Sequence, residues 1–118
     1  MKPETLQHLA EHLRQFAAER DWEQFHSPKN LAMALSVEVA EIVEHFQWMT
    51  EDQSRELDAA KRQAVEQELA DALIYLVRLA DQLGIDLLDA AERKLALNEA
   101  KYPAERVRGS SKKYSEYD

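Results

Sequence analysis

Cysteine is absent from this sequence of 118 residues, and glycine and proline are scarce, with two and three copies. Without cysteine the chain has neither disulfides nor thiolate metal sites. The scarcity of glycine and proline, together with abundant alanine, leucine, glutamate and glutamine, suits helices and disfavours a sheet. The length fits one domain with a hydrophobic core. The composition therefore predicts an all-α protein.

Positive charge and long apolar runs are also in short supply. The formal net charge is −8 at pH 7, which argues against general affinity for nucleic acid or for an anionic membrane. No apolar run approaches the length that spans a membrane, and the polar amino terminus carries no signal-type segment. We therefore expect no nucleic-acid polymer and no membrane as partner, and a cytoplasmic location.

Apolar residues at helical spacing predict four main helices. Ser27, Asp58 and Asp86 are typical N-terminal caps, and Gly84 and Pro103 are typical of helix ends. The predicted helices cover about residues 4–20, begin at residue 28, cover 59–83 and run from 86 to 102, with a short helical segment after Thr50.

The third of these helices is apolar nearly all round from residue 69 to residue 80. A helix with two apolar faces in a four-helix domain usually has a second partner besides its own core. We therefore expect a four-helix bundle over residues 1–103 that packs into a homo-oligomer. Residues 104–118 are polar and without helical periodicity, and we expect them to form a mobile tail.

Two pairs of acidic residues interrupt the apolar faces of the second and third predicted helices. Glu38 and Glu41 form one pair, and Glu68 and Asp71 form the other. Residues three apart lie on the same side of a helix, one turn from each other. Carboxylates directed at a core are costly to remove from water, so they need solvent or cations. Since the chain has 23 Asp and Glu residues, ordinary solvated acids are the alternative interpretation of either pair alone.

The ligand types in these pairs indicate which cation would bind. Mg²⁺ takes oxygen ligands, commonly a few carboxylates with waters and substrate phosphates. A ferritin-like di-iron site needs Glu-x-x-His in two helices, whereas Glu41 and Asp71 stand where the histidines would be. Oxygen ligands favour Mg²⁺, or Mn²⁺, over iron. The pairs therefore predict a magnesium site, and a di-metal redox bundle is the competing interpretation.

The spacing of the acids also resembles a known signature. Glu38-x-x-Glu41, a spacer of 26 residues, and Glu68-x-x-Asp71 look like the signature of the MazG-like all-α nucleoside triphosphate pyrophosphohydrolases. The resemblance extends over about residues 16–114 and is strongest to the dCTP pyrophosphatase branch of that family. The segments that carry it include Trp22-Glu23-Gln24-Phe25-His26, Phe46-Gln47-Trp48, Leu73-Ile74-Tyr75-Leu76 and Tyr102-Pro103.

This resemblance implies a reaction that removes particular nucleotides from the cellular pool. Water attacks the α-phosphorus of a nucleoside triphosphate, and the products are the monophosphate and pyrophosphate. The implied substrate is dCTP or a 5-modified dCTP, and dUTP or a damaged purine triphosphate is the alternative. One carboxylate can orient or deprotonate the water, and the sequence leaves open which one. The residues implied as both metal ligands and catalytic groups are Glu38, Glu41, Glu68 and Asp71.

The substrate is expected to lie between a phosphate end and a base end. Lys94, Asn98 and Lys101 share one face of the fourth predicted helix, so they can contact phosphates together. Arg78 is an additional candidate for the phosphates. Solvated surface and plain core are the simpler interpretations of these basic and aromatic residues. The residues expected to border and read the base are Trp22, Phe25, His26, Asn30, Trp48 and Tyr75.

Self-association is implied by the resemblance as well, as a homotetramer or a homodimer. A further hypothesis is that the basic tail, with Arg108, Lys112 and Lys113, closes over bound nucleotide. A non-catalytic helical module that only binds nucleotide is the alternative function from a different class.

Overall fold

The computed structural model describes residues 2–110, and this part of the chain contains helices and no strand. The all-α prediction is therefore confirmed, and the four long helices lie where the apolar spacing predicted them. The helices are α1 (Leu6–Glu19), α2 (Pro28–Phe46), α3 (Glu51–Arg55), α4 (Ala59–Gln82), α5 (Leu87–Lys101) and α6 (Ala104–Val107), with a 3-10 turn at Glu23–Phe25.

Side-chain caps explain where the helices begin. The Ser27 hydroxyl accepts a hydrogen bond from the backbone N–H of the third residue of α2, and Asp58 and Asp86 do the same for α4 and α5. Thr50 and Gln53 form a reciprocal capping box at the start of α3. After α4, Gly84 has a φ of +68°, a left-handed conformation that glycine adopts without steric cost.

The chain divides between Ile85 and Asp86 into two compact units. In the first unit, α2 packs along α4, and α1 packs against α4 as well. The buried apolar residues include Ala17, Leu31 and Val77, and Arg78 is buried among them. The second unit contains α5 and α6, neither of which has a buried residue.

The helix α6 lies in the segment that was expected to be an aperiodic tail. It is a single turn, from Ala104 to Val107, too short to show helical periodicity in sequence. The predicted mobility of the tail and its closure through Lys112 and Lys113 concern residues 111–118, which lie outside the described part of the chain.

Several large apolar side chains of α2 and α4 remain exposed to solvent. On α4 they include Leu69, Leu73 and Leu76, and on α2 they include Val39 and Val43. These positions agree with the expectation that residues 69–80 are apolar beyond the face that packs on the core. In the described part of the chain, no helix combines the length and the apolarity needed to cross a membrane.

Candidate active site

The packing of α2 along α4 brings acids from both predicted pairs together. One carboxylate oxygen from each of Glu38, Glu41 and Glu68 lies within 4.8 Å of the other two. All three side chains are half-buried. We call these three residues the carboxylate cluster. Three carboxylates at this separation form a set of oxygen donors that a divalent cation can bridge.

Asp71 lies one turn beyond Glu68 on α4, and it is exposed. It is not part of the carboxylate cluster. Its negative charge nevertheless contributes to raising the pKa of Glu38 and the pKa of Glu68. Asp71 therefore interacts electrostatically with the cluster, and its role as a ligand stays a prediction.

Two buried oxygens of the cluster lack a hydrogen-bond partner. Within the described residues, Oε2 of Glu38 and Oε2 of Glu68 are shielded from solvent and accept no hydrogen bond. A buried polar atom left unsatisfied costs about 1–3 kcal/mol, and more when it carries charge. A cation bound by these oxygens would satisfy them, so the donor set fits a hard divalent metal ion.

The cluster also shifts the ionisation of its members. Burial, a hydrogen bond shared with Glu41 and the charges of the neighbouring acids raise the pKa of Glu38 to about 7. The pKa of Glu68 is raised by its hydrogen bond with Glu41, by burial and by the charges of Glu41 and Asp71, while His45 acts in the opposite direction. In the absence of a cation, the cluster therefore retains protons at a pH where ordinary carboxylates have lost them.

A histidine that the sequence analysis did not select lies beside the cluster. His45 Nε2 is 3.9 Å from Oε1 of Glu68, and Lys61 Nζ is 3.3 Å from His45 Nδ1. Because an ammonium group only donates hydrogen bonds, Nδ1 is the acceptor and Nε2 carries the hydrogen that faces Glu68. His45 follows Glu41 by four residues, a spacing that places both on one face of α2 and could have identified it.

The presence of His45 does not convert the site into one with nitrogen ligands. In the described part of the chain, the group of three or more acidic or histidine side chains whose ligand atoms all lie within 4.8 Å of one another consists of the three glutamates. Oxygen-only donors favour Mg²⁺ or Mn²⁺ over iron. This arrangement argues against the di-metal redox interpretation.

The aromatic residues between α1 and α2 form part of the predicted base end. Asp21 has a φ of 52°, and the chain reverses there so that the N–H of Trp22 donates to the carbonyl of Ala17 at 2.9 Å. The Trp22 ring then packs edge-on against Phe16, with centroids 5.6 Å apart, and lies 6.2 Å from the His26 ring. Trp22 and His26 are therefore neighbours in the structure, as the prediction for a shared base pocket requires.

The other base-end candidates are distributed more widely. Asn30 Nδ2 donates to the carbonyl of Phe25 at 3.0 Å, so this amide supports the turn before α2. Phe25 is 58% exposed and Trp48 is 88% exposed, and in the described part of the chain neither packs against another aromatic ring. Tyr75 is half-buried on α4, one turn after Asp71. Their contact with a base stays a prediction.

The phosphate-end candidates belong to the second unit. Lys94, Asn98 and Lys101 occupy successive turns of α5, and both lysines are exposed. Their predicted role therefore stands on their spacing and on the family resemblance. Arg78 belongs to the first unit instead, where it is buried and its guanidinium is engaged by His26 and Asp81.

Comparison with known proteins identifies the family. The sequence model of the MazG-like family matches residues 33–117. The chain is 46% identical to human dCTP pyrophosphatase 1 and 45% identical to the mouse protein of that name, in both cases over 114 residues, which are 95% of this chain and 67% of the relative.

A solved structure agrees with these sequence matches. A pyrophosphatase from Archaeoglobus fulgidus superposes with a TM-score of 0.79 at 41% sequence identity, covering 87% of this chain and 96% of that chain. The family match includes both acidic motifs, and the fold match extends to most of the helices described above. The chain therefore belongs to the MazG-like family.

Proposed function

We propose that this protein is a nucleoside triphosphate pyrophosphohydrolase that converts dCTP, or a 5-modified dCTP, to the monophosphate and pyrophosphate. The observation that carries the proposal is the carboxylate cluster, which places three acid oxygens within 4.8 Å of one another between two packed helices. Relatives named dCTP pyrophosphatase, at 43–46% identity over 95% of the chain, support the choice of substrate.

In the proposed site, Glu38, Glu41 and Glu68 would hold Mg²⁺ through their carboxylate oxygens, and Asp71 would add negative charge or a further ligand. Bound Mg²⁺ supplies charge neutralisation at the phosphates and increases the acidity of water. The two orphaned oxygens, Oε2 of Glu38 and Oε2 of Glu68, support this assignment because a cation removes the cost of burying them.

The reaction that we propose forms one bond and breaks one bond at the α-phosphorus. The water oxygen bonds to this phosphorus while the bond to the oxygen bridging the α- and β-phosphates breaks, and pyrophosphate leaves with that oxygen. The water loses a proton, which a carboxylate of the cluster accepts.

Substrate binding is assigned to the two ends predicted from the sequence. Trp22 and Trp48 border the base with their exposed rings, as do Phe25 and Tyr75, and His26 and Asn30 contribute polar groups. Lys94, Asn98 and Lys101 bind the phosphates, since ammonium and amide groups donate to phosphate oxygens.

We further propose that a second copy of this chain covers the exposed apolar side chains of α2 and α4. Leu69, Leu73 and Leu76 are between 40% and 52% exposed on α4, and Val39 and Val43 are about as exposed on α2. A patch of this kind on a small helical unit is typical of a self-association surface. The homodimer and the homotetramer both contain such a surface.

The test of the proposed function is a panel of triphosphates assayed with Mg²⁺ for release of pyrophosphate. The panel contains dCTP, 5-methyl-dCTP, dUTP, CTP and a purine triphosphate with an oxidised base. We expect dCTP and 5-methyl-dCTP to have the highest kcat/KM. A higher value for dUTP or for the oxidised purine would replace the substrate, and an inactive panel would favour a module that only binds nucleotide.

A further inference from the structure

Arg78 is a buried cation that the proposed mechanism does not use. It is 4% exposed and lies within the apolar part of α4. Every other buried residue in the described part of the chain is hydrophobic. A guanidinium removed from water is strongly destabilising unless it is paired and hydrogen-bonded. The contacts of Arg78 therefore indicate what it is retained for.

The first partner of Arg78 is an acid shared with another arginine. Arg78 Nη1 is 3.6 Å from Oδ2 of Asp81, one turn further along α4. Asp81 also accepts two hydrogen bonds from Arg14 of α1, at 2.7 Å from Nε and 3.0 Å from Nη2. The bidentate pair with Arg14 holds the Asp81 carboxylate in place. The longer contact from Arg78 Nη1 lets this carboxylate offset the charge of Arg78, and it leaves Nε of Arg78 available for another partner.

The second partner is His26. Arg78 Nε donates to Nδ1 of His26 at 3.2 Å, a link between α4 and the turn before α2. A guanidinium has no acceptor, so Nδ1 must present its lone pair, and the ring hydrogen lies on Nε2. Within the described residues Nε2 has no hydrogen-bond partner, and the ring stands beside Trp22, with centroids 6.2 Å apart.

The same contact opposes protonation of the ring. An imidazolium would need a hydrogen on Nδ1, where it would meet the Arg78 donor. Burial, and then the positive charge of Arg78, lower the pKa of His26. Arg78 is the charged group that acts on the ring, and ion pairs connect Arg78 to Asp81 of α4 and Asp81 to Arg14 of α1.

We propose that Arg78 is a positioning residue that fixes His26 as a neutral imidazole with its hydrogen on Nε2. The inference rests on the proposed function for its consequence, which is that His26 offers the base a single N–H donor of constant direction. Such a donor complements a carbonyl oxygen or an unprotonated ring nitrogen, and the cytosine edge has both at O2 and N3. A ring with its hydrogen on Nδ1, or a flipped ring, would present an acceptor at this place and lose the complementarity.

This assignment differs from the expectation that Arg78 contacts phosphates. A phosphate-binding arginine directs its donors at the ligand. Here the side chain is 5% exposed, with Nε bound to His26 and Nη1 near Asp81. Its effect on the substrate therefore passes through the imidazole.

The experiment is ¹⁵N NMR of the histidine rings in the free protein, titrated from pH 5 to pH 8. We compare the wild type, Arg78→Met and the matched control Arg14→Met, which removes the other guanidinium from Asp81. In the wild type and in R14M, we expect an unprotonated Nδ1 and a protonated Nε2 for His26, and protonation only at low pH. In R78M, we expect a mixture of tautomers and a His26 pKa that moves upward.

The outcomes separate the inference from the proposed function. A wild-type His26 with its hydrogen on Nδ1, or an R78M spectrum and titration identical to wild type, would overturn the inference. The wild-type spectrum decides the tautomer even should R78M fail to fold. None of these readouts needs turnover, so failure of the triphosphate panel would sink the proposed function and leave the tautomer assignment standing.

A kinetic readout then tests the consequence for the substrate. The KM of R78M for dCTP should rise roughly 2- to 10-fold, the effect of disordering one hydrogen bond, with little change in kcat. R14M should retain the wild-type KM. An equal loss of kcat in both variants would indicate a purely structural role for Arg78 and contradict the proposal.

Discussion

Glu38 of α2 and Glu68 of α4 each bury one carboxylate oxygen, Oε2, that no described residue satisfies with a hydrogen bond. The two residues belong to the same cluster, and their contacts with Glu41 help to raise the pKa of both. Folding therefore assembles a cluster of negative charge whose energetic cost a divalent cation or protons can reduce. This relationship leads to the first prediction.

The stability of the metal-free protein should depend on the ionisation of Glu38. Its pKa is about 7 in the fold against an ordinary value of 4.5, so between these values the folded state holds a proton that the unfolded chain has released. The free energy of unfolding therefore falls as pH rises through this window, and the contribution of Glu38 to stability is fully present only below it. Thermal unfolding at several pH values measures this slope.

The matched comparison is Glu38→Gln against Glu44→Gln. Glu44 is an exposed acid of the same helix, so E44Q should keep the wild-type slope, whereas E38Q should flatten it. Added Mg²⁺ should raise the Tm of wild type at pH 8 because it binds the folded cluster. Identical pH slopes for E38Q and wild type would refute this account of the cluster.

Removal of the charge of Glu41 or of Asp71, two of the four predicted ligands, should stop the reaction without unfolding the protein. Glu41→Gln and Asp71→Asn should each lower kcat by at least about 100-fold, because each removes charge that stabilises the transition state. Circular dichroism should show unchanged helix content. Glu44→Gln and Glu66→Gln alter exposed acids on the same two helices and should retain activity. Near wild-type turnover in D71N would remove Asp71 from the site.

His45 should affect metal binding through Glu68. The Nε2–H of His45 faces Oε1 of Glu68 at 3.9 Å, and Lys61 holds the opposite side of the ring. Groups that orient a metal ligand typically change affinity by 10- to 100-fold when removed. His45→Leu should therefore weaken Mg²⁺ binding about 10-fold, measured by calorimetry. Unchanged Mg²⁺ affinity in H45L would contradict this role, because Glu68 would then keep its orientation without His45.

Much of this arrangement follows from sequence, and the rest depends on how the helices face one another. Ser27 and Asp58 identified the starts of α2 and α4. Acids that interrupt the apolar faces of these two helices identified the cluster. Both signals can be found in sequence because they are local. The contacts of His26 with Arg78, 52 residues apart, and of His45 with Lys61, 16 residues apart, depend on packing. No local pattern indicates which polar side chains will meet across such an interface.

The exposed apolar side chains of α2 and α4 predict self-association. Leu73→Glu should dissociate the assembly, because it places a charge within an apolar surface. Gln67→Glu adds the same charge to an exposed polar position of α4 and should leave the assembly intact. Light scattering coupled to size exclusion measures the mass. A wild-type protein that runs as a monomer at micromolar concentration would contradict the prediction.

The central claim is that water attacks the α-phosphorus at the carboxylate cluster, and hydrolysis of dCTP in ¹⁸O-labelled water with Mg²⁺ tests it most directly. Mass spectrometry of the two products locates the label. The account predicts one ¹⁸O in the monophosphate and none in pyrophosphate, with no labelled product from E41Q. Label in pyrophosphate, or release of single phosphates in place of pyrophosphate, would contradict it.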